Sequence, residues 1–443
     1  MGRALDSGAP ECRDAPPDCQ TIGRDVLDRV HQLLHTPPRG RSGPWLVALA
    51  IGVVLAIQPI WPDNWGIGVT IVVALTLVAS ARWQLRWVPV FAIILCGVGL
   101  RWAMSNVESS DVADVTTAAI RTVLRGADPY GIGYAASRPV GASFPYGPVA
   151  LLWYLPIFRD PTQIESLVSL ALLGFFGVRA AQGRPLGLVV FALAPPLVLA
   201  SVDGSNDTSA GLLILVSLAL ASKRPVWGAA ALAVAVAFKP YALAWLPPLA
   251  LWAGVPAFVG FAAASLVAWS PVLLVWGADK YLKSLAIAQQ THMREAYWSI
   301  ASVWNGIDPG TAPRALETIR YFLSAAVAVL GGMRVRSIDG VIVVGTAAFM
   351  IAQFGGYFGS YVYIAAVAPV LCWRLDDWLR MVLPELMRAY GDVPAVGRRL
   401  RRAAAAPAAP LRPTPTQPAA RMGSAIHAIP RSRGSRPSRN LTG

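Results

Sequence analysis

Apolar residues run in long blocks along this chain, with almost no charge inside them. The blocks lie at 45–61, 66–82, 87–104, 164–179, 185–201, 208–222, 254–276, 319–333, 338–353 and 357–373. Blocks of roughly 17–25 apolar residues match the thickness of a bilayer, so the pattern predicts an all-α, polytopic transmembrane protein. Between 226 and 252 the run "WGAAALAVAVAFKPYALAWLPPLALW" is broken by Lys239-Pro240. A charge at mid-bilayer costs about 2.5–3.5 kcal/mol on insertion scales, so two short helices turning at Lys-Pro fit better than one span.

Polar positions between the blocks set orientation. Arg39 and Arg41, Arg82 and Arg86, Arg179 and Arg184, Lys223 and Arg224, and Arg334 and Arg336 belong on the cytoplasmic side by the positive-inside rule. That assignment requires an even number of crossings, about twelve. It leaves "FPYGPVALLWYLPIF" at 144–158 as a re-entrant or surface-lying segment. The outer face then receives the 105–163 loop, "SVDGSND" at 201–207, the Lys239 turn and a long loop at 277–318.

Composition strengthens the membrane reading: 55% of residues are hydrophobic and 14% charged, where a water-soluble globule carries about a quarter charged. The net charge of +14 resides mostly in the termini and cytoplasmic turns. From Arg398 onward the chain has ten Arg, no acidic residue and much Ala, Pro and Ser, a composition expected to stay disordered. Attraction to anionic lipid explains such a tail; no nucleic-acid partner is expected. Residues 1–44 read as a polar cytoplasmic extension without a signal peptide, with "RDVLDRVHQLLH" at 24–35 as a short amphipathic helix. The domain reading is therefore 1–44, a membrane domain at 45–376, and a basic tail at 377–443. Cys12, Cys19, Cys96 and Cys372 form no CxxC pair, so neither a disulfide framework nor a metal site is expected.

One polar stretch on the outer side is patterned for a helix. In "SSDVADVTTAAIRTVLRGADPYG", Val112, Val115, Ala119 and Val123 follow helical spacing while Asp114, Thr117, Arg121 and Arg125 line another face. Gly126 is placed to cap the C-terminus and Pro129 to stop it. Asp111 falls in the first turn, with Asp114 one turn later on the same side. Two readings of Asp111 compete: an acidic first-turn residue that complements the helix dipole, or a functional carboxylate at the membrane boundary.

The order and spacing of "SDVADVTTAAIRTVLRGADPY", "FPYGPVALLWYLP", "SVDGSNDTSAGLLILVSLAL" and "GAAALAVAVAFKPYALAWLPP" resemble the C-type, multi-span glycosyltransferases that use polyprenyl-phosphate sugars. The bacterial alpha-mannosyltransferases of glycosyltransferase family 87 are the nearest in pattern. The resemblance implies transfer of a hexose, mannose above all, from a polyprenyl-phosphate donor to a hydroxyl of a lipid-linked or cell-envelope glycan. The reaction would run with inversion, on the extracytoplasmic side of a bacterial inner membrane, and without a cofactor. Asp111 matches the family's general base, with Asp114 as fallback.

Lys239 then has two readings, stabilising the departing phosphate or snorkelling to the interface. Tyr241 either bonds the same group or belongs to an aromatic belt. Asp203, Asn206 and Asp207 either bind sugar hydroxyls or form a polar turn; the family pattern often has Gly-Gln here, where this chain has Asp203-Gly204. His292, with Arg294 and Glu295, Tyr130 and Tyr146 are further substrate-binding candidates. Trp298 and Trp304 either stack on a sugar or anchor at the interface. The absence of a DxD pair or Gly-rich phosphate loop speaks against a sugar-nucleotide donor. A transporter or flippase for lipid-linked envelope precursors is the alternative, against which stands the lack of two matching halves; a catalytically dead scaffold on the same fold is a third.

Overall fold

Prolines and glycines cut the apolar blocks into the helices observed. Pro148, Pro195 and Pro225 each open a helix, where a missing N–H costs nothing and the fixed φ is already helical. Gly254 and Gly277, with φ of 78° and 91°, punctuate the helix Val255–Pro271 and its continuation Val272–Trp276, conformations that favour glycine.

A computed structural model describes residues 42–62, 64–83, 87–107, 110–292 and 298–382. These residues belong to one compact unit within Met1–Ala395, and they contain helices and no strand. The reading of 1–41, including the 24–35 segment with Cys12 and Cys19, and that of the basic tail fall outside the described residues.

Helices Ser42–Ala56, Trp65–Trp83 and Val88–Ala103 pack in sequence and close against Leu186–Leu193. The middle of the molecule is Asp207–Ala221, which packs on Pro225–Phe238 and on Tyr363–Val382. Pro225–Phe238 also lies against Val255–Pro271. Two helices are long and apolar enough to cross a membrane, Thr162–Ala181 and Val255–Trp276, and only 11% of the latter's apolar window is buried. Seven shorter apolar helices accompany them.

Several blocks differ from the sequence expectation. The 185–201 block is two helices, Leu186–Leu193 and Pro195–Ala200, because Pro195 and Pro196 cannot donate to the carbonyls of Phe191 and Ala192. Those two carbonyls are instead taken by the buried Arg101, whose Nη2 and Nη1 lie 3.0 and 3.2 Å away. The 319–333 block is the helix Leu316–Ala326 followed by a π-turn at Val327–Gly331. The last block starts its helix at Tyr363 and continues past 376 to Val382. Within 277–318, read as a loop, lie helices Ala278–His292 and Ile300–Ile307. At 144–158 the helix Pro148–Tyr154 and the turn Leu155–Ile157 extend about 15 Å at 1.5 Å per residue, half a hydrocarbon core.

Candidate functional site

The helix Asp111–Leu124 begins where Ser110 accepts from the Val112 N–H at 3.3 Å. Its buried face is Ala113, Val115, Thr116, Ala119 and Ile120, and Gly126 follows its end at φ 76°. Asp111 does not use its carboxylate to cap this helix. Its Oδ2 accepts the backbone N–H of Arg138 at 2.6 Å, tying in a loop 27 residues away, and Oδ1 has no donor among the described residues. Asp114, three residues on and about 60° around the axis, is a neighbour on the helix surface, yet the two side chains open onto different cavities. Asp111 lines a cavity of about 1400 Å³, while Asp114 lines a separate cleft of about 280 Å³ with Arg121 and Arg159.

The turn after Phe238 is set by Pro240. A residue before proline is pushed out of the helical region, and Lys239 is extended, at φ −137° and ψ 117°. Its side chain is 3% exposed and does not reach out to an interface. Nζ sits 2.8 Å from Asp207 Oδ1, over the rings of Tyr146 and Tyr241 at 5.1 Å and of Tyr363 at 6.0 Å. Tyr241 donates its hydroxyl to the same Asp207 oxygen at 2.6 Å. The ammonium is therefore matched by a buried carboxylate, as burial of a charge requires.

Gly147 makes this cage possible. A Cβ there would sit 2.1 Å from the Ala237 carbonyl oxygen, so only glycine lets "FPYGP" pass the end of Pro225–Phe238 and bring Tyr146 to Lys239. Tyr130 stands behind this layer, fully buried against Phe144, Trp276 and Tyr281, and donates to the Tyr146 carbonyl at 3.1 Å. It does not line the cavity, so the structure places it as a support and not at a pocket mouth.

The 201–206 turn braces both parts. The Asp203 carbonyl accepts the Ser110 N–H, and its carboxylate accepts Ser205 N–H at 2.8 Å and the Tyr361 hydroxyl at 2.9 Å. Burial pushes the Asp203 carboxyl above its usual range, and those two donors pull it partly back. Burial likewise raises the Tyr146 hydroxyl, with Asp207 adding to the effect. Asn206 is 2% exposed, lies off the cavity wall, and has no partner for either side-chain atom among the described residues. The helix it precedes is capped instead by Glu165, whose carboxylate accepts Ser209 N–H at 3.0 Å.

Asp111, Asp203, Asp207, Lys239, Tyr146 and Tyr241 all line the same cavity. Further along its wall stands a network that the blocks concealed. Glu317 accepts from Gln289 at 2.8 Å and from Tyr357 N–H at 2.7 Å, and pairs with Arg320 at 2.5 Å. Arg314 is exposed there with no ion-pair partner among the described residues. His292 ends its helix, and its side chain, like Arg294 and Glu295, is outside the described residues. No group of three or more metal-ligating side chains occurs among the described residues.

Neither a protein family, nor a curated protein, nor a solved structure matches this chain.

Proposed function

We propose that this chain is a multi-span membrane glycosyltransferase that moves a hexose, mannose first among candidates, from a polyprenyl-phosphate donor to a hydroxyl of a cell-envelope glycan or glycolipid. In this reading it crosses a bacterial inner membrane about twelve times and works on the extracytoplasmic side. The observation that carries the reading is the shared cavity of Asp111 and the Lys239–Asp207–Tyr241 group. At about 1400 Å³ it exceeds the roughly 300–1,000 Å³ of ordinary small-molecule pockets, room for a donor head and an acceptor together. The apolar surface of Val255–Trp276 supports a lipid environment.

The chemistry follows from the carboxylate. A sugar hydroxyl is a poor nucleophile, and a base that takes its proton during attack supplies about 10²–10⁴-fold. Asp111 Oδ1, without a donor among the described residues, receives that proton. The oxygen bonds to the anomeric carbon, the carbon–oxygen bond to phosphate breaks, and polyprenyl phosphate leaves with the electron pair, inverting the centre. Lys239 has three N–H donors; Asp207 takes one, and the remainder serve a phosphate oxygen in a low-dielectric site where such bonds are strongest.

Purified protein in lipid nanodiscs, given radiolabelled polyprenyl-phosphate-mannose and extracted envelope lipids, should label a lipid or glycan product. Absence of product with mannose and other hexose donors alike contradicts the proposal.

A further inference from the structure

Trp298 has a backbone that tryptophan rarely adopts. Its φ is 37°, the one positive value outside glycine among the described residues. Such a conformation costs on the order of 1–3 kcal/mol and persists only where the surroundings over-determine it. They do so here. Ser299 donates to the Tyr357 carbonyl at 2.9 Å and accepts the Ser302 N–H at 3.2 Å, starting the helix Ile300–Ile307. The Ala301 N–H reaches the Gly356 carbonyl at 3.1 Å. A Cβ on Gly359 would lie 2.4 Å from the Trp298 carbonyl oxygen, so glycine is required for the close approach. Glu317 fixes the other side of this clamp by accepting the Tyr357 N–H.

All of that structure holds up an indole that is 67% exposed and lines the cavity shared with Asp111. Trp304, six residues further on and inside the helix Ile300–Ile307, is off the cavity wall and donates to Thr311 at 3.0 Å. An interfacial anchor describes Trp304 and does not explain a strained Trp on a cavity wall. A flat, exposed ring held rigidly at low entropic cost is what the apolar face of a sugar ring packs against. Arg314, exposed on the same cavity, supplies hydrogen-bond donors for ring hydroxyls.

We infer that Trp298 is the stacking platform for a pyranose ring of the acceptor, so the acceptor offers a sugar, not a plain lipid alcohol. The inference rests on the transfer reading above. Its test separates acceptor from donor. Protein in nanodiscs with saturating polyprenyl-phosphate-mannose is titrated with octyl glycosides of mannose, glucose and galactose, while release of polyprenyl phosphate without acceptor is followed in parallel. Trp298→Ala should raise the acceptor KM roughly tenfold and leave acceptor-free release unchanged, with Trp298→Phe within about threefold of the native protein. An unchanged acceptor KM in Trp298→Ala, or release falling in step with it, overturns the inference. Saturation-transfer NMR with the same glycosides and no donor gives a second readout: ring-proton signals should depend on Trp298, and glycosides that give none with the native protein overturn the platform. If those signals depend on Trp298 while no sugar leaves any donor, the platform stands and the transfer reading is what fails.

Discussion

Asp111 and Lys239 differ in how each charge is handled, a difference on which the proposed reading builds their roles. Lys239 is enclosed by three tyrosine rings and matched by Asp207. Asp111 is half-buried, with one oxygen held by the Arg138 N–H and the other without a donor among the described residues. Asp203 is a group on the cavity wall whose titration bears on stability. Its folded-state pKa is raised by burial, so the folded chain holds a proton that the unfolded chain releases, and stability falls as pH rises from the ordinary carboxylate range through the raised value. Asp203→Asn should flatten that slope, seen as a thermal midpoint with weaker pH dependence than the native protein over the same interval. An unaltered slope assigns it to other groups.

Helices here are positioned by charged side chains reaching from other helices. Arg101 takes the two carbonyls stranded by Pro195 and Pro196, Asp376 caps Leu186–Leu193 through the Leu186 and Gly187 N–H groups at 3.2 Å, and Glu165 caps Asp207–Ala221. Arg101→Met should therefore cost several kcal/mol, since each buried carbonyl left without a donor costs about 1–3 kcal/mol; thermal unfolding in detergent measures it, and a loss below 1 kcal/mol counts against the capping role. Gly147→Ala should displace Tyr146 from Lys239 because its new methyl meets the Ala237 carbonyl oxygen. Transfer activity should drop while the fold survives, and a variant crosslinkable between positions 146 and 239 as readily as the native chain would contradict this.

The Asp111–Leu124 helix and the Lys239-Pro240 turn were legible because each rests on local chemistry, a helical spacing and a proline, whereas Asp111, Lys239, Tyr241, Tyr146, Asp203 and Asp207 were singled out through the family resemblance, and they line one cavity. Arg101, Glu165, Glu317 and Tyr361 were not legible, since their partners lie 40 to 158 residues away in the chain, or sit inside apolar runs that hide a single polar residue. The break at Pro195 was present in the sequence as a Pro-Pro pair, and reading the block by hydropathy alone passed over it.

Across the whole molecule, the described residues form a helical body with a largely apolar cavity at one end of its central helices, into whose wall Asp111, Asp207 and Lys239 are set. The Val255–Trp276 helix is largely unburied and apolar. In the proposed reading this arrangement lets a lipid-borne sugar reach a carboxylate from the bilayer while the acceptor arrives along the Trp298 wall. The claim at the centre is that Asp111 accepts the proton of the attacking hydroxyl. Initial rates of mannosyl transfer from polyprenyl-phosphate-mannose, measured for the native protein, Asp111→Asn and Asp114→Asn in nanodiscs, test it most directly. The account predicts a fall of about 10²–10⁴-fold for Asp111→Asn with donor binding retained, and a near-native rate for Asp114→Asn, whose side chain lines the other cleft. Near-native transfer by Asp111→Asn, or its loss in Asp114→Asn alone, would contradict it.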